Sequence, residues 1–281
     1  MNTTGSQVTA CGYSALYANT TGNSNTAFGY AALTTNTTGS SNVAVGRDAL
    51  YTNNGSSNTA VGHQAMENNT TGNENTALGY NALDANTTAS YNTALGYHCL
   101  TSNTTGSQNT AVGRAALQDN VTGNFNTAVG YNSLINNTAD SNVAVGRASL
   151  TSNTTGGSNV AVGRDALVIN STGSDNTAMG AFALDANTTA GSNTAVGKAA
   201  LSANTTGAQN TALGKDALVA NTTASYNTAI GIETLASTTT GASNTAVGRN
   251  ALYANTGGDN VAVGSMALVS QTSGYENTVT T

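Results

Sequence analysis

Every lysine and arginine in the chain stands immediately after the glycine that closes a phrase of the N-T-A-V-G type, and tyrosine or histidine fills that place in most other copies. The column reads Tyr13, Tyr30, Arg47, His63, Tyr80, Tyr97, Arg114, Tyr131, Arg147, Arg164, Lys198, Lys215 and Arg249, broken by Ala181, Ile232 and Ser265. These cations and phenols share a long stem with a polar tip, so each can cover apolar surface while its end reaches water. Two uses follow. The column could seal a seam against a neighbouring chain, or it could bind acidic glycans through aromatic stacking and charge. Arg147 with Arg164, and Lys198 with Lys215, would be like charges one repeat apart, which disfavours burial without a counter-charge.

No other constellation carries chemistry. The glycines form neither G-x-G-x-x-G nor a Walker loop, and Gly197-Lys198 and Gly214-Lys215 lack the Ser or Thr that would follow. His63 and His98 lie two repeats apart in different columns, and with Glu67 and Cys99 they do not complete a ligand set, so no metal or other cofactor is expected. "GGDN" at 257–260 resembles a calcium-binding nonapeptide but occurs once. The sequons at Asn19, Asn36, Asn103 and Asn153 are read as a turn-stabilising ladder, because Asn bonds local backbone readily.

What positions the column is a repeat. Counting the Asn of N-T-A-V-G as position 1, sixteen copies span residues 8–276, with partial copies at 1–7 and 277–281, so that residues 1–281 are one array. Thirteen copies have 17 residues; those starting at Asn42, Asn126 and Asn244 have 16, each shortened in the N-T-T-G-x-x segment, which marks that segment as a turn. Position 3 is Ala in every full copy, position 4 apolar, position 5 Gly, and position 9 Leu except at Met66. Thr, Asn, Val and Gly at this period exclude helical hairpins and predict two short strands per repeat, at positions 1 to 4 and 8 to 11.

The fold class expected is therefore all-β: a parallel β-solenoid, or β-roll, of sixteen coils, making a rod about 77 Å long. Alternation puts positions 2 and 4 on one side of the first strand and position 3 on the other. With Leu at position 9, positions 2 and 4 are assigned to the interior. The invariant Ala then looks outward onto a second surface, most simply another chain. Cys11 and Cys99 read as small buried or half-buried fillers.

The phrase "NTALGYNALDANTTASYNTALGY" resembles the long N-T-A-V-G-x-x-A-L arrays of phage tail-fibre and other surface-fibre proteins and, more distantly, the head repeats of trimeric autotransporter adhesins. That resemblance covers nearly all of residues 2–281 and implies a left-handed homotrimer on a cell surface or virion. The array opens and closes within a repeat, which would also let ends stack into a longer polymer.

Composition narrows the function. Net charge is −6 and no basic tract exists to neutralise phosphates, so nucleic acid is not an expected partner. No apolar run is long enough for membrane insertion by a helix. The expectation is a non-enzymatic extracellular structural fibre segment, the shaft or head of an adhesin or tail fibre, whose partner is itself. Alternatives are a self-assembling extracellular filament subunit, an adhesive shaft binding cell-surface glycan along the Tyr/Arg/Lys column, and an ice-binding solenoid. The last is disfavoured because position 2 accepts Val and shares its face with bulky apolar residues, while the Thr pairs of positions 13 and 14 sit at a turn.

Overall fold

The computed structural model describes residues 3–281. The chain divides after Ser141 into two compact units. Strands β1 (Thr9–Cys11) to β8 (Thr127–Val129) pair in parallel through the first, and β9 (Val143–Val145) to β17 (Thr278–Thr280) pair in parallel through the second. Each strand is three residues long and each coil contributes one. Equivalent residues pair directly, Thr26 with Val43 and Ala27 with Ala44 in the first unit, Val160 with Thr177 and Ala161 with Ala178 in the second. Both units are thus parallel β-solenoids, and no helix occurs among the described residues.

The strand faces are the reverse of the sequence expectation. Ala at position 3 is fully buried at every coil from Ala27 to Ala262, whereas the residues at positions 2 and 4 are half-buried or exposed. Ala therefore does not meet a second chain; it fills the coil. Alternation separates strand residues into two sets but does not say which set is inside. Room decides it here. The interior is so narrow that only Ala fits at position 3 and mostly Ala at position 8, with the Leu of position 9 as the one large filler, buried from Leu33 to Leu252. Ala10 and the position 4 residue Cys11 are both exposed in β1, so Cys11 is not the buried filler expected of it, while Cys99 at position 8 is buried.

The second expected strand is a turn. Positions 7 and 9 have left-handed backbone, as in Ala31 (φ 54°) and Leu33 (φ 55°), and so does position 17, as in Ser41 (φ 60°). Ala31 donates its N–H back to Tyr13 O at 2.8 Å, while Leu33 donates forward to Ala49 O at 3.0 Å and Thr35 to Tyr51 O at 3.1 Å. Ladder bonding between coils thus continues without strand geometry. A left-handed Leu costs roughly 1 to 2 kcal/mol, which burial of its side chain, worth about 1.5 to 3 kcal/mol, offsets.

Two buried asparagine columns complete the core. At position 1, Asn42 donates its backbone N–H to Asn25 Oδ1 (2.9 Å) and its amide to Gly55 O (2.9 Å). At position 12, the Asn36 amide serves Asn19 Oδ1 (3.0 Å) and Gly39 O (3.0 Å). Each buried amide thus satisfies backbone that the turns would otherwise orphan. The position 12 ladder is as expected from the sequence, and its amide nitrogens, sequon members included, are buried and bonded.

The shortened coil at Asn42 shows how a residue can be lost. In the full coil, Thr37 O accepts the Thr20 N–H and hydroxyl, both at 2.9 Å. One coil on, where a Thr is missing, Asn54 Oδ1 takes that place, accepting the Thr37 N–H at 2.8 Å and its hydroxyl at 2.7 Å. A side-chain carbonyl substitutes for the deleted backbone one, so the ladder closes over the gap.

Candidate functional site

Position 6 follows the glycine that ends each strand, which puts its side chain at the corner between strand and turn. Among the column residues of the first unit, Tyr13, Tyr30, Tyr80, Tyr97 and Tyr131 are exposed, from 43% at Tyr80 to 72% at Tyr13. Because coils repeat about every 4.8 Å, consecutive rings stack. Tyr13 and Tyr30 have centroids 5.2 Å apart and planes within 12°; His63, Tyr80 and Tyr97 continue at 5.3 Å per step. Arg47 lies 5.8 Å over Tyr30, and Arg114 sits between Tyr97 (5.8 Å) and Tyr131 (5.3 Å), donating to the Tyr131 hydroxyl at 2.9 Å. Arg, Tyr and His are interchangeable here because each presents a flat face to the next coil.

This stacking has a functional consequence. Rings about 5 Å apart leave no room for a sugar between them, so a glycan along the stacks would meet ring edges, hydroxyls and the outer face of an end ring such as Tyr13.

In the second unit the column carries Arg147, Arg164, Lys198, Lys215 and Arg249, with no aromatic at this position. The anticipated repulsion between Arg147 and Arg164 is relieved by Asp165, whose carboxylate lies 3.5 Å from one and 3.6 Å from the other. Arg164 also lies 4.4 Å over the Phe182 ring. Lys215 pairs with Asp216 at 3.1 Å, which raises its pKa, and Arg47 in the first unit pairs with Asp48 at 3.0 Å. Lys198 and Arg249 are exposed and make no salt bridge among the described residues. The sequence reading missed these position 7 carboxylates. Their signal was present in the dipeptides Arg47-Asp48, Arg164-Asp165 and Lys215-Asp216. In a strand such neighbours would point apart; in a left-handed turn they meet.

The outer strand face forms a second surface. No hydrogen bond is made by the Thr26, Thr76 or Thr110 hydroxyl among the described residues, and beside this column stand Phe28, Leu78, Met179, Leu213 and Ile230, all exposed. Position 2 thus lies outside the coil, and it shares its face with these bulky apolar residues. Side chains of such unequal size still keep this face from being a flat rank.

Position 10 makes a ridge beside the column. Glu67 and Asp84 occupy it on consecutive coils. Glu67 accepts from the Gln64 amide at 2.6 Å and Asp84 from Asn68 at 3.4 Å, and neither has a cationic partner among the described residues. Burial, and then the Glu67 charge, push the Asp84 carboxyl up to about 6 from 3.8. The folded chain thus holds this proton to higher pH than the unfolded chain does, so stability is lost as pH rises from about 4 to about 6. Asp84→Asn is accordingly expected to raise stability at pH 7.5 relative to its effect at pH 3.5. The gain is on the order of 1 kcal/mol after solvent screening of a half-exposed group. Thermal unfolding at the two pH values checks it, and equal effects at both would refute it.

Among the described residues no three His, Cys, Asp or Glu side chains gather to hold a metal ion. Cys99 donates its thiol to Ala111 O at 3.0 Å, and burial raises its pKa to about 12, which leaves it protonated and unreactive. No protein-family model matches the chain, and no curated protein matches it.

Proposed function

We propose that the chain is a structural, non-enzymatic fibre segment of an extracellular assembly, on a cell surface or virion, built by lateral association of copies of itself. Three left-handed copies is the arrangement implied by the resemblance to surface-fibre repeats. The observation that supports association is the outer strand face. From β1 to β16, position 4 is apolar and position 2 is Thr or Val, without one charge, although the sheet is parallel and parallel sheets are ordinarily covered on both faces. The aliphatic ridge recurs with every coil. A second copy has the same pitch and can match it rung for rung. Three residues by eight rungs give about 400 Å² on each unit, about half of the roughly 800 Å² that each partner of a standard interface buries.

The test is the oligomeric state of the full chain. Leu78 and Leu213 are 50% and 46% exposed, so carboxylates there meet water in a lone chain but would be trapped in an association. Sedimentation should show an oligomer for the native chain and a monomer, with an unchanged circular dichroism spectrum, for Leu78→Asp with Leu213→Asp. A native chain that stays monomeric at its highest soluble concentration, or a double variant that remains oligomeric, would overturn the proposal.

A further inference from the structure

Beside the position 6 column, in the first unit, lies an open groove of about 480 Å³. Three phenols, Tyr13, Tyr30 and Tyr51, and two carboxylates, Asp48 and Glu67, line it. Its volume is that of an ordinary small-ligand cleft. The lining groups are not equally available. Tyr13 and Tyr30 cover one another's faces, the Arg47 guanidinium takes the remaining side of Tyr30, and Asp48 is paired with Arg47. Tyr51, Glu67 and the outer face of Tyr13 are left. The Tyr51 ring has neither a ring partner nor a cation among the described residues, and it is 36% exposed. Glu67 follows it one coil later in the same column, and its carboxylate accepts from Gln64 and from no other donor among the described residues.

An unstacked ring one coil from an unneutralised carboxylate, in a cleft whose other wall is phenolic, attracts one class of ligand. An anion is repelled by Glu67. A metal ion lacks a third donor. A neutral apolar group would forgo the charge. We propose that this groove binds a quaternary ammonium group, its methyl groups against the Tyr51 ring face and its charge balanced by Glu67. Asp84, one coil beyond Glu67, adds to the negative potential.

Neither the fibre role nor the oligomeric state enters this reading, and the groove lies away from the strand face. The probe is choline, titrated into the full chain and followed by calorimetry and by the tyrosine ring resonances. Its uncharged isostere, 3,3-dimethylbutan-1-ol, and sodium chloride at equal ionic strength are the controls. Choline should bind saturably, at about millimolar strength as befits one open site. The neutral isostere should bind about tenfold more weakly, given the cation's share of the attraction. Glu67→Gln, which keeps the Gln64 contact, and Tyr51→Ala should each weaken choline at least about fivefold, with the dichroism spectrum unchanged. Absence of saturation, equal binding of the isostere, displacement by sodium chloride alone, or unaltered affinity in Glu67→Gln would each overturn the assignment.

Discussion

Ala161→Leu is expected to destabilise the protein by about 3 kcal/mol or more, and Val162→Leu, one residue along, by less than about 0.5 kcal/mol. Ala161 is fully buried in β10 (Val160–Val162), with Ala144 and Ala178 on the rungs either side. Three added carbon atoms have nowhere to go. The wall cannot retreat either, because Val160 donates its N–H to Asn176 O at 2.8 Å and Gly163 donates to Val145 O at 2.8 Å, pinning the strand at both ends. Val162 points outward, in a column that already holds leucine at Leu78, Leu95 and Leu213. Urea unfolding of the two variants measures the difference. Should Val162→Leu prove the costly one, the strand faces are inverted.

That pair of residues also marks what was legible in the sequence. The period, the coil count and the parallel register follow from sixteen recurrences of one phrase, and the turn at N-T-T-G follows from its tolerance of deletion. The inward Leu of position 9 was readable because a large apolar residue recurs there almost without exception. The inward Ala was not. An invariant small residue is compatible both with a tight interior and with a close neighbour, and only the width of the coil chooses. That width comes from the left-handed residues at positions 7, 9 and 17. The sequence conceals them, since Leu33 and Ala31 occupy conformations usually left to Gly or Asn. The same turn explains the site. It brings Asp165 beside Arg164, and it sets the position 10 residues Tyr51 and Glu67 beside the column, a relation that a strand at positions 8 to 11 would not produce.

One constraint remained visible at both levels, the glycine of position 5, and it yields the second large effect. Gly96→Ala is expected to cost more than about 4 kcal/mol, beyond the range of ordinary substitutions. Gly96 has φ 144°, which side chains on L-residues rarely adopt, and an added Cβ would lie 2.5 Å from Gly113 O and 2.7 Å from its carbonyl carbon. Relief would require the two coils to part. Gly113 donates its N–H to Leu95 O at 2.8 Å, so parting them breaks the ladder on the strand side while the Leu100 to Ala116 bond at 3.0 Å is pulled on the turn side, and the Gly96 N–H bond to Leu78 O at 2.8 Å holds Gly96 to the coil before it. In a solenoid each coil is held mainly by its neighbours, so the damage should centre on coils 92–108 and 109–125 and weaken with distance from them. Hydrogen exchange resolves this. Amides of β6 (Thr93–Leu95) and β7 (Thr110–Val112) should lose protection first and those of β2 (Thr26–Phe28) last. The Ala at position 15 gives the contrast that makes the argument specific. Gly72 lies in a place where a Cβ would also approach backbone closely, at 2.2 Å from Ala89 O, yet the next copy of that position is Ala89 itself, buried and accommodated. There the backbone is not in the left-handed half of φ, and the coil already holds Ala at the same position in Ala89, Ala190 and Ala224, all buried. Gly72→Ala should therefore cost far less than Gly96→Ala, because crowding alone is tolerated by this coil and crowding joined to a glycine-only backbone is not.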